Sequence, residues 1–132
     1  MDLYKAVIGD CIVRHDFKAW VEKYMRTDSA QPYQYRGIDL YGARCGIAHT
    51  YGVESDLSRN GQCKIFAYKS NSLKHYYDPI KHPKMVVLGV ELFIRDFYDA
   101  VDRFLADIEK DDDLEQRVAH RLPNLFRIRK MT

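Results

Sequence analysis

Apolar side chains return every three or four residues in three separate stretches of this chain, and that rhythm permits little besides a helical bundle. From Glu91 onward, Phe93, Phe97, Ala100, Val101, Phe104, Leu105 and Ile108 fall on one helical face. Near the start, Val7, Ile8, Cys11, Ile12, Phe17, Trp20, Val21 and Tyr24 keep the same period. They predict a helix from Asp2 or Leu3 to about Met25, with a break around His15–Asp16. Tyr35, Ile38, Tyr41, Cys45 and Ala48 predict a second helix that enters near Pro32 and stops at Gly52. Past "KDDD", Asp112 or Asp113 is placed to cap a last helix from Leu114 to Leu122, ended by Pro123.

Between the second and third helices the rhythm changes. The Asn-Gly pair of "SRNG" marks a tight turn, and "QCKIFAY" after it has strand character. Pro79 and Pro83 keep the following stretch out of any helix interior or central strand, and "KMVVLGV" then supplies a second apolar, β-branched run. These two runs predict a long-looped antiparallel β-hairpin. The expected fold is mainly α, a small helical bundle with a β-hairpin insertion between its second and third helices.

The totals narrow the class. At 132 residues the chain suits one domain over positions 1–132, with no repeat or Ser/Gly-rich linker to divide it. A hydrophobic content of 46% beside a charged content of 30% is that of a globular protein rather than a disordered one. No apolar run approaches the roughly 20 residues that span a bilayer, and the first residues lack a basic region with a cleavage site. A cytoplasmic protein without membrane partners is expected. Cys11, Cys45 and Cys63 are widely spaced, with no C-x-x-C pair, which fits a reducing compartment. Eight acidic residues crowd the stretch 96–113, whereas Arg117, Arg121, Arg127, Arg129 and Lys130 make the end basic. Such a tail could meet phosphates, or it could complement the acidic helix before it.

The second helix contains the stretch "YGARCGIAHTYG", from Tyr41 to Gly52. Gly42 and Gly46 each cost about 1 kcal/mol relative to alanine in a helix interior. Four residues apart, they lie on one face and allow a close approach, either within the chain or by the same helix of a second copy. Arg44 and His49 stand five residues apart, about 140° around a regular helix. They converge only if the last turn loosens, or if the arginine of one copy meets the histidine of another.

The spacing R-x-x-x-x-H, here Arg44 to His49, resembles the defining motif of HEPN domains, small helical bundles widespread in prokaryotes. The phrase "LYGARCGIAH" is similar to the motif helix of bacterial HEPN-like proteins, and "VELFIRDFYDAVDRFLADI" to the helix that follows in them. The resemblance implies a homodimer whose motif helices meet at Gly42 and Gly46. In active members it implies a metal-independent endoribonuclease of toxin or phage-defence type. Arg44 would neutralise charge on the phosphorane, and His49 would move the proton of the 2′-hydroxyl. Active members place a polar residue directly after the arginine, where this chain has Cys45. A noncatalytic RNA- or protein-binding or regulatory module is therefore the alternative, with RNA, an antitoxin or a regulatory protein as partner. No cofactor and no metal are expected.

Secondary candidates surround this motif. Tyr41 and Tyr51 flank it, and Lys74, His75 and Tyr76 form a basic, aromatic loop suited to stacking on single-stranded RNA. Cys45 and His49 have the i, i+4 spacing of two zinc ligands, but no second pair shows tight ligand spacing. The same two residues could form a thiolate–base pair, although no third residue is visible to orient them.

Overall fold

The computed structural model describes residues 14–50 and 52–125, with backbone alone for His49, Thr50, Asn124 and Leu125. The expected helical turns before Arg14, Tyr51, and the basic tail after residue 125 lie outside the described residues. Helix α1, Arg14–Trp20, runs unbroken through His15 and Asp16. The irregularity comes later, where the helix widens into a π-helical segment, Val21–Met25. Trp20, Val21, Tyr24 and Met25 are all buried there.

Helix α2, Gly37–Thr50, starts well after Pro32. Carboxylates set that boundary. Asp39 accepts the Arg36 backbone N–H at 2.9 Å and Glu22 accepts that of Gly37 at 2.8 Å, so two donors at the helix start are satisfied where they stand. Asp39 is fully buried, and its other oxygen takes the Lys64 N–H at 2.8 Å, tying α2 to the entry of the first strand. The residues before Gly37 stay outside the helix, which lets Tyr35 drop into the core against Phe66 and Phe93. A one-turn helix, α3, Asp56–Arg59, follows α2. Ser55 and Ser58 cap it reciprocally.

The expected hairpin is corrected. Strands β1, Ile65–Lys69, and β2, Met85–Gly89, pair in parallel, in register from Ile65–Met85 to Lys69–Gly89. Parallel pairing needs a connection long enough to carry the chain back across, and residues 70–84 provide one. Within that connection Tyr76 exchanges both backbone hydrogen bonds with Val87, each 2.9 Å. The carboxylate of Asp78 accepts the N–H groups of Ile80 and Lys81 and turns the chain around Pro79.

Strand β2 leads directly into α4, Val90–Lys110. Its buried stripe is Leu92, Asp96, Ala100 and Phe104, rotated from the expected apolar face, so that Phe97 and Leu105 face solvent. Helix α5, Asp112–Leu125, is capped by Asp111, which accepts the N–H groups of Asp113 and Leu114 at 3.1 Å. Pro123 lies inside its last turns rather than ending it. The core joins Trp20, Tyr24, Tyr35, Val86, Leu88 and Phe104, with Leu114 and Val118 of α5 at its margin. Among the described residues no helix is long and apolar enough to cross a membrane.

Candidate functional site: the outer face of α2

Helix α2 is apolar around much of its circumference, so no single face can bury everything it carries. Its inner side holds the two glycines. A methyl group at Gly46 would sit 2.9 Å from the carbonyl oxygens of Gly52 and Glu54. One at Gly42 would run into the Cys63 sulfur. The close approach that the glycines permit is thus filled from within the chain, by residues 52–63. This corrects the expected seam between copies at Gly42 and Gly46. Cys63 is sealed in the same contact, and burial pushes its thiol pKa up, away from the thiolate form.

The outer side carries Arg44 and Ile47. Arg44 is exposed, with no hydrogen bond or ion pair to a described residue. It lines a groove of about 420 Å³ with Phe17, Trp20, Phe66, Tyr68 and Phe97. Among the described residues Arg44 is the single charged side chain in that lining. Ile47 is 59% exposed, Tyr68 53% and Phe97 46%, so three elements present bare apolar surface at one place. A smaller hollow of about 190 Å³, lined by Ala43, Ile47, Val53 and Tyr68, prolongs it past Gly52.

The sequence offered one signal for this groove. Leu40, Ala43 and Ile47 add a second apolar row to α2, beyond the row of Tyr41, Cys45 and Ala48. The contributions of β1 and α4 depend on tertiary placement and left no local trace.

His49 belongs to the last turn of α2, and the helix stays regular through Thr50. The roughly 140° between positions 44 and 49 is therefore retained, and no loosened turn brings them together. Tyr41 faces elsewhere. It meets Phe17 edge-on at 5.5 Å, lies under Arg14, and lines a separate cleft of about 320 Å³ with Cys45 and Ser55.

The basic, aromatic loop also separates. The His75 side chain is only 2% exposed. Its Nδ1 accepts the Gly89 N–H at 3.2 Å, which leaves the ring proton on Nε2, 3.1 Å from Asp96 Oδ2. Tyr35 donates its hydroxyl to the same oxygen at 3.0 Å. Burial, with Asp96 beside it, pushes the Tyr35 phenol far above its ordinary pKa. His75 is thus an interior strut, which corrects its expected role in stacking on a base. Tyr76 is exposed, but the Lys69 ammonium stands 5.0 Å over its ring. Lys74 opens instead on a third cleft, of about 290 Å³, shared with Arg95 and Leu92.

Among the described residues, no three metal-ligating side chains stand together. The chain matches no family model, no curated protein and no solved structure.

Proposed function

We propose that this chain is a HEPN-like module that works through the outer face of α2 as a noncatalytic binding surface, with Arg44 as the one charge of its described lining. The observation that carries this reading is the setting of Arg44: exposed, unpaired among the described residues, and ringed by apolar and aromatic side chains. Contiguous exposed apolar surface of this kind marks a site of association. A track for an RNA backbone would call for several cations, whereas the described lining offers one.

A metal-independent endoribonuclease is the second reading, favoured by Arg44 being free to meet a phosphate with His49 on the same helix. The 2′-oxygen would bond to phosphorus, the bond to the 5′-oxygen would break, and His49 would carry the proton from one oxygen to the other. With about 140° between the two positions, this chemistry needs a homodimer that sets Arg44 of one copy beside the partner's His49.

Purified protein incubated with mixed RNA in EDTA, beside Arg44→Ala and His49→Ala, separates the readings. The binding module leaves the RNA intact in all three. EDTA-resistant cleavage that falls by about 10²-fold or more in His49→Ala would establish the nuclease instead.

A further inference from the structure

We infer that the α2 groove receives one amphipathic helix of another protein, apolar face inward, with a carboxylate of that helix on the Arg44 guanidinium; this rests on the binding reading above. Two features of the groove define the occupant. Its described walls come from α1 and its π-helical extension, α2, both strands and α4, and they are almost entirely apolar. An extended segment laid across those side chains would leave its backbone N–H and C=O groups against an apolar lining with scarcely a polar atom to bond them. A helix satisfies those groups internally and offers a continuous apolar stripe, so it is the form of polypeptide that this lining accepts.

Charge sets the second feature. Arg44 is the lone described charge of the lining and lacks a described partner. A helix seated on the groove would desolvate that guanidinium, which is unfavourable unless an anion meets it. A planar fork of N–H donors is matched by a carboxylate, so the stripe of the incoming helix should carry Glu or Asp at that point. A lysine there would set like charges together in a dry site.

Trp20, the only tryptophan of the chain, lines the groove and reports its occupancy through its fluorescence. The probe is a short acetylated and amidated helical peptide with leucines at i, i+3, i+4 and i+7 and one Glu within that stripe. Its control carries Lys in place of the Glu. The full chain should show a Trp20 emission shift on titration and bind the Glu peptide at least about tenfold more tightly than the Lys peptide. Arg44→Glu should reverse that order, and Ile47→Glu should abolish the shift with both peptides while the far-ultraviolet circular dichroism stays unchanged.

Equal affinity for the two peptides, no shift with either, or a doubled mass that Ile47→Glu returns to a single chain would each overturn the inference. The last would assign the face to a second copy. RNA cleavage in EDTA would remove the reading beneath the inference; intact RNA together with equal peptide affinities would overturn the acidic helix alone.

Discussion

Two neighbouring regions of this molecule invert the usual placement of polar and apolar groups. In the interior, Tyr35, Asp96 and the side chain of His75 are each at most 2% exposed, yet every one of them has a hydrogen-bond partner. Phe66 and Phe93 pack against Tyr35 and also line the groove, where Ile47, Tyr68 and Phe97 meet solvent. The polar cluster is tolerated because its donors and acceptors complete one another. The apolar surface has no such internal reason. Burying those side chains would favour the folded chain, and the fold leaves them bare, which fits a surface kept for association rather than for stability.

The contrast breaks first at Asp96. Removing its carboxyl group by Asp96→Ala strands the Tyr35 hydroxyl and the His75 ring N–H in the interior, and should lower unfolding free energy by about 3–5 kcal/mol. Urea denaturation measures this. Tyr35→Phe should cost less, about 1–3 kcal/mol, and the double variant should cost less than the sum, because both changes remove the same bond.

Gly46→Ala comes next. Alanine is the better helix former by about 1 kcal/mol, but its methyl group meets two carbonyl oxygens that belong to the backbone. A net loss of about 1–3 kcal/mol is expected at any protein concentration. A change in dimerisation with unaltered stability would restore the seam between copies.

A smaller effect depends on pH. The Ser72 N–H, with that of Asn71, holds the Glu91 carboxylate below its ordinary pKa and pins the 70–84 connection to α4. Its contribution is present above the unfolded glutamate pKa of about 4.3 and is lost as pH falls through the lower folded value. The urea midpoint of Glu91→Gln should therefore trail that of the natural chain near neutrality and converge with it in acid.

Much of this architecture is written in local pattern. A helix over 90–110, a helix through Phe17 and Trp20 and the two β-branched runs appear where the spacing places them, although the buried stripe of α4 is rotated to Leu92, Asp96, Ala100 and Phe104. Strand direction is not so written. "CKIFAY" and "KMVVLGV" read the same in either orientation, and the backbone pairing of Tyr76 with Val87 leaves no residue-type signature. The start of α2 was misplaced because Asp39 and Glu22 cap it from three and fifteen residues away. By pattern alone Asp96, three residues from Asp99, reads as part of a solvated helix face; its burial is legible only with its partners, Tyr35 and His75, which come from remote segments. Of the candidate site, Arg44 was legible as an unusual cation in a small, apolar run. The groove around it was not, since it exists only where α1 with its π-helical extension, α2, both strands and α4 converge.

One measurement reaches the central claim directly: the urea unfolding of Ile47→Glu beside the natural chain. If the outer face of α2 is bare and kept for a partner, the charge stays in water and the two midpoints should agree within about 0.5 kcal/mol of stability. A loss of several kcal/mol would mean that the face is covered in the folded protein itself, and would contradict a free binding surface at Arg44.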